Sequence, residues 1–203
     1  MRDTEVGYPT SVFTRELFFL ERNMKPQVII IDGPRQIGKT HLINEVVHRL
    51  RAAGLKCHCE MSVMPMVPQP EEREVTERAI VHAMPNYVLQ LEQLTKALHA
   101  TEDNDVVFVH QGFHSFIVNA HHQGLGDVNK LRFREVFRST LDLFTSSVNI
   151  SYFTLITSGY TTISEEDRRL WLENSRWCPL TINFTDSRTA PEFAEEIIQN
   201  RKV

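Results

Sequence analysis

Apolar positions along the chain alternate between short unbroken runs and stripes at helical spacing, and this alternation predicts the order of elements. Val28, Ile29, Ile30 and Ile31 form a β-branched run inside a strand expected over 27–32. Leu42, Ile43, Val46, Val47 and Leu50 then recur at helical spacing, predicting a helix from about 39 to 53 that stops at Gly54. A second short strand is expected near 55–61, followed by loop through the prolines of 61–70. Residues 71–100 carry a helical pattern, broken or kinked at Pro85. Val106, Val107, Phe108 and Val109 are apolar without interruption, as a strand buried on both faces should be. Helical spacing returns over 113–122 and 128–146, on either side of Gly124 and Gly126. A fourth strand is expected over 150–157 and a polar helix over 164–174. A fifth strand at 180–184 and a closing helix at 189–200 complete the chain. Ahead of all this, residues 11–22 read as a short helix within an N-terminal extension, 1–26, ended by Lys25 and Pro26.

Alternating strands and helices imply a parallel sheet with helices on both faces. The expected fold is therefore α/β, a single domain over 1–203 with a five-stranded parallel sheet. In such sheets ligands gather at the carboxyl ends of the strands, so the loops after the strands are where chemistry is sought.

The loop after the first strand is the most informative. Residues 33–40 read Gly-Pro-Arg-Gln-Ile-Gly-Lys-Thr, a full G-x-x-x-x-G-K-[ST] phosphate-binding motif set between a strand and a helix. Gly33 and Gly38 let the backbone curl until its N–H groups converge on phosphate oxygens. Lys39 supplies a cation for the β- and γ-phosphates, Thr40 offers a hydroxyl to Mg²⁺, and the helix N-terminus favours the anion. Gly33, Arg35, Gln36, Ile37, Gly38, Lys39, Thr40 and His41 are the expected nucleotide contacts, with ATP and Mg²⁺ as cofactors. Asp32 directly precedes the loop and is expected either to order a Mg²⁺-bound water or to brace the loop.

Acceptor chemistry belongs to the other strand ends. Glu60, at the end of the second strand, can take a hydroxyl proton from an acceptor or hold a water on Mg²⁺. His110 and Gln111 follow the third strand, where many P-loop enzymes carry an acid. Tyr87, Phe113 and His114 are candidates to stack on a base, although aromatic side chains in helices more often pack in a core. The segment 160–178 is dense in charge, and its Arg168, Arg169 and Arg176 could close over phosphates as a lid. A solvated helix with Glu–Arg pairs is the plainer alternative.

Composition narrows the partners without naming one. The chain is 203 residues long, 41% hydrophobic and 24% charged, as expected of a globular domain. A formal net charge of −4 gives no footprint for nonspecific nucleic-acid binding, so a polymer acceptor is left open but not indicated by charge. No apolar run approaches the length of a bilayer span, and the N-terminus lacks a signal-peptide pattern. No membrane partner is expected and the expected setting is cytoplasmic. Self-association as a homodimer is left open. Of three cysteines, Cys57 and Cys59 share one strand face. His110, His114, His121 and His122 follow no zinc spacing, so reduced thiols are expected.

These features together resemble the thymidylate kinase and deoxynucleoside kinase family of P-loop phosphotransferases, over about residues 27–200. Asp32-Gly33 before Gly38-Lys39-Thr40 looks like the acid–glycine opening of that family's loop. The resemblance implies that Glu60 is the base after the second strand, with Arg168 and Arg169 as lid arginines. It places the run from His110 to Ser115 at the family's acid–Arg–Ser motif, with Ser115 matching a downstream small residue. Substrate contacts implied in this way are Tyr87, His110, Gln111 and Ser115. His110 and Gln111 replace the acid and the arginine, and Arg35 in the loop partly compensates from the donor side. The implied activity is transfer of phosphate from ATP to a nucleoside, a nucleotide or a nucleotide-like acceptor. A base carried in phage DNA is a variant of that acceptor. The loop also resembles those of certain AAA-type ATPases, which leaves a small ATPase, or a nucleotide-binding module without turnover, as alternatives.

Overall fold

The computed structural model describes residues 25–61, 77–122, 124–145, 147–155, 164–175, 181–184 and 190–201. The expected helix over 11–22, the proline-rich loop beyond Met61 and Cys178 lie outside these residues. So do Arg176 and both ends of the 160–178 segment.

Five parallel strands run β1 (Gln27–Asp32), β2 (Cys57–Met61), β3 (Val106–His110), β4 (Asn149–Leu155) and β5 (Thr181–Phe184), in the spatial order β2-β3-β1-β4-β5. Six helices accompany them: α1 (Lys39–Ala52), α2 (Glu77–Ala100), α3 (Phe113–His122), α4 (Asp127–Phe144), α5 (Glu165–Ser175) and α6 (Ala190–Arg201). β1 is central and buried throughout. Its two-residue period divides the core. Val28 and Ile30 enter one apolar cluster with Tyr87, Leu94, Phe113, Phe116 and Phe137 from α2, α3 and α4. Ile29 and Ile31 enter the other, with Ile43, Val46 and Leu50 of α1 and Phe193 and Ile197 of α6. β3 and β4 split their side chains in the same way, which is why Val106–Val109 reads as an unbroken apolar run.

Three local expectations change. α2 passes through Pro85 without interruption. Pro85 is exposed, so the helix keeps a continuous buried face while the missing N–H falls on the solvent side. Tyr87, expected against a base, is 5% exposed and packs among Phe113, Phe116 and Phe133. α5, for all its charge, buries Leu170 and Trp171 against Val118 of α3, and His122 pairs with Asp167 at 3.0 Å. The described part of the candidate lid is thus docked. Arg168 and Arg169 lie on its exposed side.

The chain leaves β1 toward β2 on one side and later crosses β1 to reach β4 on the other. The carboxyl ends of β1 and β3 therefore flank the crevice where such sheets take ligands. At the mouth of that crevice Asp32, fully buried, accepts four hydrogen bonds. The donors are the backbone N–H groups of Gly33 (2.8 Å) and Ser115 (3.0 Å) and the hydroxyls of Ser115 and Tyr152. The Tyr152 hydroxyl also accepts the N–H of His114 at 3.0 Å. Tyr152→Phe keeps the ring but removes one donor from a buried carboxylate and the acceptor of a buried N–H. Stability should fall by about 1.5–3 kcal/mol, seen as a lower urea midpoint with unchanged slope. An unchanged midpoint would mean that the carboxylate does not depend on this donor.

Candidate functional site

The loop from Gly33 to Thr40 has the backbone its sequence demands. Gly33 sits at φ 142°, and a Cβ there would lie 2.2 Å from the carbonyl oxygen of Leu155, so only glycine lets the loop pass β4. Gly38 caps α1 at φ 96°, and no side chain caps the helix N-terminus. The first turn of α1 also carries no acidic residue. These N–H groups and the positive end of the helix dipole are left for an anion. Ile37 is buried in the α1–α6 cluster and pins the loop from beneath, while Arg35 and Gln36 are exposed. Gln36 (φ 60°) and Gln111 (φ 72°) are the two non-glycine residues with positive φ among those described. Both flank the crevice, where strained backbone commonly marks function.

Lys39 is buried, and a solvent-facing lysine, the simplest expectation for a phosphate-binding cation, is not what the loop holds. Its ammonium donates to the carbonyl oxygens of Gly33 (2.8 Å) and Pro34 (2.6 Å), folding back over its own loop. Burial lowers its pKa from the ordinary 10.5 to about 8. The Asp32 charge works against that fall, and the Arg35 charge adds to it.

The four donors on Asp32 match the roughly four lone-pair sites of a carboxylate. Asp32 therefore braces the loop, one of the two roles expected of it. Ser115 is 4% exposed and serves this brace, not a substrate. His114 is likewise interior, its Nδ1 3.1 Å from the Thr154 hydroxyl, and burial lowers its pKa to about 4. It stays neutral and cannot present a charge.

His110 ends β3 and reaches the loop, its Nε2 lying 3.1 Å from Thr40 Oγ1. Burial first, and then the Lys39 charge, hold its pKa below the ordinary 6.5, so the ring is neutral at pH 7. Thr40 is exposed and stands where the motif puts the metal-binding hydroxyl. The expected Mg²⁺ finds that hydroxyl, but among the described residues Asp32 is engaged and β3 ends in an imidazole, which leaves Glu60 at the end of β2. The residues present do not make the oxygen-rich site that Mg²⁺ favours. Cys59 is a free thiol, and the described residues contain no group of three or more His, Cys, Asp or Glu placed to hold an ion. Burial raises the Cys59 pKa to about 11, with Glu60 adding to it.

Glu60 lies at the end of β2, half-buried, its carboxylate 3.2 Å from His58 Nε2. Gln93 of α2 joins β2 to β3 by donating to the carbonyl oxygens of Glu60 (3.3 Å) and His110 (3.0 Å). Gln93 Oε1 and Gln90 Nε2 are buried without a hydrogen-bond partner among the described residues. Sequence reasoning passed over both glutamines. The signal was present: amides at 86, 90 and 93 interrupt the apolar stripe of 83, 87, 94 and 97.

No protein-family model matches the chain, and no curated protein matches its sequence. Among solved structures the chain is similar to thymidylate kinase from Ehrlichia chaffeensis, at 11% identity and a TM-score of 0.48, over 86% of this chain and 98% of that one. It is similar to the YorR protein of Bacillus subtilis, solved with phosphorylated GDP, at 16% identity and a TM-score of 0.45, over 85% and 94%. A deoxyadenosine kinase from M. mycoides is similar at 13% identity and a TM-score of 0.37, over 86% and 98%.

The buried ammonium makes phosphate binding a proton-linked event. A polyphosphate beside Lys39 favours the charged amine, so it raises the lysine pKa and binds less well where that amine is deprotonated. NMR titration of the lysine side chains should find Lys39 titrating near pH 8 in the free protein and moving upward with a nucleoside triphosphate. Affinity should fall as pH rises through that value. Affinity flat across the range, with an unmoved Lys39, would separate the lysine from the ligand.

Proposed function

We propose that the chain is an ATP-dependent phosphotransferase acting on a nucleoside, nucleotide or nucleotide-like acceptor. The observation that carries the donor half is the loop: uncapped helix N–H groups, positive φ at Gly33, Gln36 and Gly38, and Lys39 held over the loop's carbonyls. A triphosphate offers this ammonium better partners than two neutral carbonyl oxygens, since bonds between charged groups are the stronger ones.

The acceptor half is supported by the ends of β2 and β3. Glu60 is the candidate base, and Gln93, which donates to its carbonyl, holds a buried amide oxygen without a hydrogen-bond partner among the described residues, as Gln90 does at its amide nitrogen. An acceptor with its own donors and acceptors, such as a heterocyclic base, would satisfy them. Transfer is favoured over hydrolysis because β3 ends in His110 and β4 in Leu155, with no acid there to activate water. Gln111 supplies no charge for an acceptor phosphate, which favours an acceptor other than a free monophosphate. Arg168 and Arg169, exposed on docked α5, are assigned to neutralise charge at the donor phosphates.

Labelled ATP with a panel of nucleosides, nucleotides and oligonucleotides tests the reading: transfer to an acceptor supports it, release of free phosphate favours an ATPase, and neither leaves a binding module. Lys39→Met, which keeps the buried aliphatic volume, should abolish phosphate-dependent ATP binding in a folded protein. Undiminished affinity would overturn the loop assignment. Glu60→Gln should reduce transfer roughly a hundredfold or more with little change in ATP affinity, the scale of general-base loss. Equal rates would remove Glu60 from the chemistry. Arg168→Ala or Arg169→Ala should slow transfer more than it weakens ATP binding, and equal loss in both would assign these arginines to binding alone.

A further inference from the structure

We propose that the metal at this nucleotide site is a divalent first-row transition ion, such as Mn²⁺ or Co²⁺, held directly by Thr40 Oγ1 and His110 Nε2, in place of Mg²⁺. The inference rests on the reading of the loop as a triphosphate site and adds the identity of the ion.

Geometry carries it. Two neighbouring ligands on an octahedral ion at about 2.1 Å lie about 3.0 Å apart. Thr40 Oγ1 and His110 Nε2 are hydrogen-bonded to each other at 3.1 Å, so an ion that takes both replaces that bond at nearly the same spacing. His110 Nδ1 is buried without a hydrogen-bond partner among the described residues. Nothing described therefore fixes the tautomer from that side, and the ring is able to present its Nε2 lone pair to an ion. His110 is also held in place: its carbonyl oxygen accepts from Gln93, and β3 pairs with both β1 and β2.

Chemistry then selects the ion. Mg²⁺ demands oxygen ligands and gives up water reluctantly. An imidazole nitrogen among hydroxyl, phosphate and water oxygens suits a first-row transition ion better, and geometry and ligand type are the means by which such sites select. Among the described residues Asp32 carries four donors, no acid stands at the ends of β3 or β4, and Glu60 at the end of β2 is paired with His58.

The test uses the full chain with a non-hydrolysable ATP analogue. Mn²⁺ and Mg²⁺ are titrated separately by calorimetry, and the Mn²⁺ complex is examined by pulsed electron paramagnetic resonance with and without ¹⁵N-histidine. A nitrogen coupling that changes with the label is expected. The preference for Mn²⁺ over Mg²⁺ should exceed that of the free analogue by about tenfold or more. His110→Asp should lose the coupling and return the preference toward Mg²⁺. His110→Asn is the second variant, expected to lose the coupling as well, and the labelled wild-type spectrum is decisive even where neither variant folds. A Mn²⁺ complex with no histidine coupling, or with the free analogue's preference, overturns this inference while leaving the nucleotide site intact. Failure of the analogue to bind with any ion overturns both.

Discussion

A single buried carboxylate holds the crevice in shape. Asp32 lies at the end of the central strand, where the chain must leave the sheet and curl into the loop, and burying its charge would be costly without compensation. Four donors supply it, from the loop itself (Gly33), from the start of α3 (Ser115, twice) and from β4 (Tyr152). Three elements far apart in sequence are thereby fixed to one point. Hydrogen bonds to a charged group contribute about 1.5–3 kcal/mol each, and here they set the position of the loop more than they add to overall stability. An aspartate that might have served a metal serves the fold.

The position of Asp32 shapes the electrostatics of the loop as well. Lys39 is buried, and the nearby carboxylate keeps its ammonium from losing more of its charge than burial alone would take. The lysine, turned inward on Gly33 and Pro34, ties the loop's own carbonyls together and supports its curl. The same packed corner holds His110 neutral and His114 neutral, so the floor of the crevice carries its positive charge on Lys39 and leaves its imidazoles as lone-pair donors. This division of roles, with an acid that braces, an amine turned onto its own loop and an imidazole that faces Thr40, distinguishes the site from one built on a carboxylate after β3.

The strands were legible in the chain because burial on both faces demands β-branched and aromatic residues without interruption, and 28–31 and 106–109 have no other reading. The helices were legible from spacing alone, although the two buried residues of α5, Leu170 and Trp171, stand inside a polar pattern. Glu60 was placed by position, since the end of a strand in a parallel sheet is a place and not a contact. Tyr87 was legible only as a choice between core and base contact, because an aromatic residue on a helix face looks the same whether a base or three phenylalanines lie against it.

What the sequence determined by itself is the phosphate-binding loop and the succession of elements around it. Both are local, resting on glycine conformations, on residue spacing and on one lysine and one threonine within eight positions. What only the tertiary structure decided are the pairings across the sheet: Asp32 with Ser115 and Tyr152, Thr40 with His110 seventy residues away, and Gln93 with the ends of β2 and β3. Those depend on strand order. β3 must insert between β1 and β2, and β4 must pass to the other side, before His110 stands beside Thr40 and a tyrosine reaches the carboxylate. Local spacing carries no record of that order, because it is chosen by how both faces of the sheet are covered at once.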